Sequence, residues 1–195
     1  MTATKARDVF VNLNGAQSSA LQAGASLIWL VMKTQPQGKL WVRCGDGVLF
    51  GDHPGKLNRK HLAPCSPGDV LHGREKWSQI CGNTVYAADG VKLPRPTMGN
   101  TPWMPSSQMP RQFCRWNLPV VSVRPVKACE ATDEMIYATG IKFNGPRAAG
   151  AQTPRLAQQA VRGNFKDYID SLSPGAWEKG LWFWVVDVNR LEAQR

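Results

Sequence analysis

Glu75 stands between Arg74 and Lys76, two residues ahead of Trp77, at the charged end of a run that begins at Val70. A carboxylate in that setting acts as a general acid/base when burial lifts its pKa and a neighbour activates a nucleophile. Otherwise it closes an ion pair with Arg74, Lys76 or Arg111 at a sheet edge, and with no obvious activating pair nearby the ion pair is the favoured reading. Arg111 and Arg115 are four residues apart around a proline-led strand start, a spacing that suits a bidentate grip on phosphate. Trp103 or Trp77 would then offer a stacking face to a base. The bland alternative packs Trp103 on the sheet and pairs Arg111 with Glu75 or Asp69. Cys44, His53, His61 and Cys65 supply zinc-type ligands, but only His61 and Cys65 are closely spaced, whereas structural zinc sites bring ligands in tight pairs. No metal and no cofactor is therefore expected.

The elements that must position these groups are short. Ala16 to Ala23 suits a short helix stopped by Gly24, and Ser26 to Met32 reads as a buried strand or the end of a buried helix. Lys39 to Arg43 alternates as a strand, while Cys44 to Pro67 carries so many Gly and Pro that it reads as loop with at most a short hairpin. Val70 to Trp77 and Thr84 to Ala87 are strands, and a Pro-rich connection from Lys92 to Pro102 leads to Trp103. Pro105 and Pro110 keep the next stretch out of helix. Val120, Val121 and Val123 then favour a strand, with Pro119 marking an edge or bulge. The product is a basic, aromatic lip running from Trp103 to Arg124 on the rim of a sheet. Glu130 to Ala138 has helical propensity with Gly140 past its end; Asn144 to about residue 160 reads as a flexible insertion. Asn164 to Leu172 places Phe165, Tyr168, Ile169 and Leu172 on one helical face, and Leu181 to Val188 is the clearest strand. Strands and short helices that alternate irregularly, without long crossovers, predict an α+β domain with a strongly bent sheet or small barrel.

The totals agree with one domain over residues 1–195: 43% hydrophobic residues, 14 Pro and 18 Gly describe a loop-rich globular chain. The net charge is +10 and unevenly spread: Gly90 to Cys129 holds six Lys/Arg and no acid, and Met135 to Phe165 again holds no acid. That asymmetry suits a polyanion or a merely solubilising surface. Five Cys without a C-x-x-C pair argue for a reducing compartment. The most apolar stretch, Ala20 to Met32, has 13 residues and is too short to span a bilayer, and no signal peptide is read.

Three segments taken together resemble the ASCH domain, and more narrowly the phage and prophage proteins labelled morphogenetic proteins. Gly68, Asp69, Arg74, Glu75 and Trp77 are similar to the family's Gly-Asp…Arg-Glu-x-Trp strand. Trp103, Pro105, Ser106, Met109, Pro110 and Arg111, with Arg115 beyond, are similar to Trp-x-Pro-Ser-x-His-Met-Pro-Arg, with Gln108 in the place of the His. Trp177 through Val186 resembles the family's closing aromatic strand, Asp133 to Ile141 resembles the helix between, and Thr34 to Gly38 the turn after its first motif. The match runs over about residues 31–190 and leaves residues 1–30 divergent.

The resemblance implies a PUA-like β-barrel with flanking short helices, RNA or modified-nucleoside binding, and a cytoplasmic protein of a bacterial host. Small members hydrolyse N4-acetylcytidine with a Lys, a Thr and a Glu, and Glu75 matches that Glu. The Lys and Thr belong to a Gly-x-Lys-x-x-Thr-x-Arg motif; Gly24 to Val31 stands there with no Lys, Thr or Arg. Lys33 and Thr34 match the following turn, so the catalytic roles do not pass to them. The leading expectation is an RNA- or nucleotide-binding protein that uses Arg74, Lys76, Trp77, Trp103, Gln108, Arg111 and Arg115. An amidohydrolase acting on an acylated nucleoside through Glu75, and an accessory protein that binds phage proteins during assembly, are the alternatives.

Overall fold

In the computed structural model, which describes residues 6–38, 40–44, 47–53, 56–93, 102–141 and 154–189, the chain is mixed α+β and mostly strand. The strands are β1 (Asp8–Asn12), β2 (Leu27–Val31), β3 (Leu40–Cys44), β4 (Gly47–His53), β5 (Lys56–Leu62), β6 (Val70–Arg74), β7 (Trp77–Ile80), β8 (Asn83–Tyr86), β9 (Trp116–Lys127) and β10 (Trp182–Val188). The helices are α1 (Gly15–Gln22), α2 (Asp133–Ala138) and α3 (Pro154–Leu172). A five-stranded sheet runs β1-β6-β9-β10-β2, beside the antiparallel sheets β3-β4-β5 and β7-β8. β1 pairs parallel with β6; the other pairs are antiparallel.

The expected barrel is not closed among the described residues, because β1 and β2 remain the edges of the large sheet. The link between them supplies the reason. α1 starts in a capping box, with Asn14 Oδ1 accepting from the Gln17 N–H at 2.8 Å and Gln17 Oε1 accepting from the Asn14 N–H at 3.0 Å. The same Gln17 side chain donates to the Trp29 carbonyl at 2.8 Å, so a helix residue takes a β2 edge group that a closing strand would have used.

β9 and β10 carry the core. On one face Trp182, Trp184, Val186 and Val188 pack with Val48, Phe50, Leu71 and Leu118. On the other, Phe183 and Val185 pack with Trp29 of β2 and with Phe165 and Ile169 of α3. This strict alternation is the period-2 signal of a strand buried on both faces. Trp29 meets the Phe165 and Phe183 rings edge-on at 5.2 and 5.8 Å, and each such side chain contributes about 1.5–3 kcal/mol by leaving water. β9 spans 12 residues, longer than the valine run suggested. Its first part pairs with β6 as far as Pro119 and the rest pairs with β10 from Val120 onward. Pro119 thus sits at the hand-over, where a missing N–H interrupts neither ladder, and a register shift follows at once between Asp187 and Val188.

Three expectations need correction. Cys44 to Pro67 is not mainly loop: β4 and β5 form seven-residue strands. The glycines there serve close approach, since a Cβ on Gly47 would lie 2.5 Å from the His61 carbonyl oxygen, and one on Gly38 2.7 Å from Gly51. The helix expected from Asn164 begins ten residues earlier at Pro154, a residue well suited to a first turn. Residues 154–160 are therefore helical, and the remainder of the expected insertion lies outside the described residues. The strand from Val70 also stops at Arg74, and β7 resumes at Trp77 in a separate sheet.

Candidate functional site

Glu75 lies in the break between β6 and β7 with 1% of its surface exposed. Both carboxylate oxygens are taken by one guanidinium: Arg115 Nε donates to Oε2 at 2.7 Å and Arg115 NH2 to Oε1 at 2.8 Å. Arg115 also reaches Asp89 at 2.8 Å and lies over the Tyr86 ring at 4.2 Å. Burial pulls the Arg115 pKa down, but the hydrogen bonds and charge of Glu75 and Asp89 outweigh it and raise the value above its ordinary one. Burial raises the Tyr86 phenol, whose hydroxyl donates to the Phe113 carbonyl at 2.8 Å. Around this pair Trp77, Met109 and Cys114 form a small buried cluster with Met104 and Phe113. The Trp77 and Met104 backbones exchange hydrogen bonds of 3.1 and 2.7 Å, which pins the lip to β7.

A second ladder joins the lip to the β1 edge. Parallel pairing sets Phe10 beside His72, and the rings stack with centroids 5.0 Å apart. His72 is buried, with Nδ1 2.6 Å from Asn117 Oδ1 and Nε2 2.9 Å from Asp8 Oδ1. Arg111 donates to the other Asp8 oxygen at 2.6 Å. The His72 hydrogen bond is the largest influence on Asp8 and, helped by Arg111, holds its carboxyl below the ordinary value. Arg74 lies 4.3 Å from the Phe10 ring centre and reaches the Ser107 carbonyl only at 3.4 Å. Its Nε is buried without a hydrogen-bond partner.

The residues singled out in the sequence therefore divide. Arg74 and Arg111 both reach the β1 edge, at Phe10 and Asp8; Lys76, Gln108 and Arg111 are exposed and Trp103 is half-buried. Trp77 is buried in the small cluster, and Arg115 is committed to Glu75. The acid-free stretch is also less free than it reads. Arg111, Arg115, Arg124 and Lys127 meet Asp8, Glu75, Asp187 and Glu130, acids that lie outside that stretch. Arg74, Lys76 and Lys33 have no carboxylate partner among the described residues.

Sequence reasoning passed over one feature. A cleft of about 790 Å³ opens between Phe10 and Asn12 of β1, Trp29 and Val31 of β2, Lys60 and His61 of β5, and the exposed pair Lys33–Thr34. Among the described residues that line it there is no Asp or Glu. Its signal was the Val9–Val11 run, too short to show that it pairs with β6. Glu75 is not in its lining, so Lys33 and Thr34 and the family-like Glu do not meet there. Of the zinc-type set, Cys44 is exposed, Cys65 is buried and the His53 side chain lies outside the described residues. Among the described residues no three His, Cys, Asp or Glu gather as a metal site, and no helix is long and apolar enough to cross a membrane. No family model, curated protein or solved structure matches the chain.

Proposed function

We propose that the protein binds RNA or a nucleotide along the rim formed by Phe10, Arg74, Lys76, Gln108 and Arg111. The observation that carries this reading is Arg74. Among the described residues it is a guanidinium without a carboxylate partner, laid on the ring of Phe10, a residue 39% exposed. A planar cation stacked on an aromatic ring suits a phosphate oxygen or a base edge. Lys76, two residues on, adds an exposed charge, and the half-buried Trp103 is read as a stacking face. Single strands fit better than duplex, because the support is one short rim rather than a helix or ribbon sized for a groove.

The finer elements of the resemblance belong to the same proposal. The five-stranded sheet is read as an opened PUA-like barrel, supported by its two edges lining one cleft. The five free thiols accord with a bacterial cytoplasm, and a phage origin rests on the sequence resemblance alone. Hydrolysis through Glu75 is the weaker alternative, since its carboxylate would first have to leave Arg115.

Binding of labelled single-stranded RNA, duplex RNA and duplex DNA across a salt series tests the reading. Preference for single strands, with a log–log salt slope that Arg74→Ala reduces by about 0.7, is the expected result. Binding that is absent at low salt, or unchanged by Arg74→Ala and Lys76→Ala together, would overturn it.

A further inference from the structure

We propose that the cleft between β1 and β2 accepts an extended acidic peptide of a partner protein as an added strand. The cleft shares Phe10 with the rim, but the proposal does not need RNA to bind there; it rests on where the backbone groups point. The Arg7 carbonyl accepts from Val70 and the Leu13 N–H donates to Arg74, so the odd-numbered residues of β1 serve β6. Phe10 and Asn12 therefore turn their main-chain groups outward. In β2, Met32 bonds to Trp182 and Ser26 to Val188, which sets Ile28 and Leu30 toward β10 and turns Trp29 and Val31 outward. The Gln17 bond to the Trp29 carbonyl is what this alternation requires. Gln17 takes one outward group; the Trp29 N–H and both groups of Val31 are left to the cleft.

Two unpaired strand edges that line one cleft form a template for strand addition, in which main-chain bonds give affinity and side pockets give selectivity. Charge names the kind of strand. Lys33, exposed and without a carboxylate partner among the described residues, lines the cleft, and none of the described residues lining it is an Asp or Glu, so acidic side chains complement it. A nucleobase fits less well, because Trp29 and Trp184 in the cleft lining are 1% and 6% exposed and offer no open stacking face. Lys33 stands two residues beyond Val31 and meets an incoming strand as an anchor. If it were instead a guard against edge pairing, its removal would strengthen association.

A short fluorescent peptide alternating valine and glutamate is the probe, measured by anisotropy against the full chain. Amide protection is followed by NMR. The expected result is saturable binding that slows exchange at Phe10, Asn12, Trp29 and Val31. The affinity falls by about tenfold or more with Lys33→Ala, and likewise when alternate peptide amides are N-methylated. A lysine-for-glutamate peptide should not bind. Absent binding, equal binding of the N-methylated peptide, or tighter binding by Lys33→Ala would overturn the proposal. Protection of the same four amides by single-stranded RNA in place of the peptide would overturn it too and assign the cleft to nucleic acid.

Discussion

Arg115 grips Glu75 with two parallel hydrogen bonds of 2.7 and 2.8 Å, across 40 residues of sequence, at a carboxylate 2% exposed. The pair ties the end of β6 to the start of β9 and leaves Glu75 without a lone oxygen facing solvent. A fork geometry of this kind gives position as well as energy. It decides how Glu75 behaves when it is changed.

Glu75→Gln should destabilise the protein by about 3 kcal/mol, the scale for breaking a buried pair by removing one partner. With a urea m-value of about 1–3 kcal/mol/M the midpoint falls by about 1–3 M. RNA affinity of the folded fraction should stay within about twofold of the parent. A stable Glu75→Gln protein that has lost an activity would instead mark Glu75 as chemical rather than structural.

Gly140 stands just past α2 at φ +63°, where an added Cβ would lie 2.7 Å from the Ala20 carbonyl oxygen and 2.8 Å from the Ala25 nitrogen. Gly82 has φ +82° with nothing within 4 Å. Gly82→Ala should therefore cost only the left-handed conformation, about 1 kcal/mol. Gly140→Ala adds a backbone clash that moves α1 away from β2, for a total of about 3 kcal/mol. Equal losses in paired urea titrations would show that space around Gly140 is not limiting.

Cys65 and Cys114 are buried, and burial, followed by the Asp69 charge, pushes the Cys65 thiol up to about 12. Burial raises Cys114 as well. Because the thiolate is the reactive form, brief alkylation of the native protein at pH 8 should label Cys44, Cys81 and Cys129, which are exposed. Mass spectrometry should find Cys65 and Cys114 labelled only after unfolding.

The fates of these residues show how far the sequence could be read. The Phe165–Tyr168–Ile169 face was legible because one buried face imposes a period on a helix, and the strand at Trp182 because burial on both faces makes it a continuous apolar run. The Gly-rich β4 was not, since glycine reads as a turn unless one knows that a Gly47 Cβ would strike the His61 carbonyl. The site was less legible than the fold. That Glu75 is paired could be argued from its surroundings, but Arg115 rather than Arg74, Lys76 or Arg111 is its partner. Arg111 goes to Asp8 rather than to Glu75 or Asp69. Both choices depend on pairing between distant strands, β1 with β6 and β6 with β9, and no local pattern encodes that order.

Asp8 links the ladder to the rim, so Asp8→Asn separates stability from binding. Its folded pKa is held below the ordinary 3.8, chiefly by the His72 hydrogen bond and then by Arg111. A depressed carboxyl contributes stability that is complete above its unfolded pKa and fades as pH falls through the folded one. The parent should thus lose stability below pH ~4, and Asp8→Asn should be weaker at neutral pH with a shallower acid limb. The same change frees Arg111, 61% exposed, from its carboxylate. If the rim holds RNA, Asp8→Asn should bind it more tightly, with a salt slope steeper by up to about 0.7. Weaker RNA binding at an unchanged folded fraction would mean that Arg111 needs Asp8 to hold it in place, and that the rim works by geometry more than by charge.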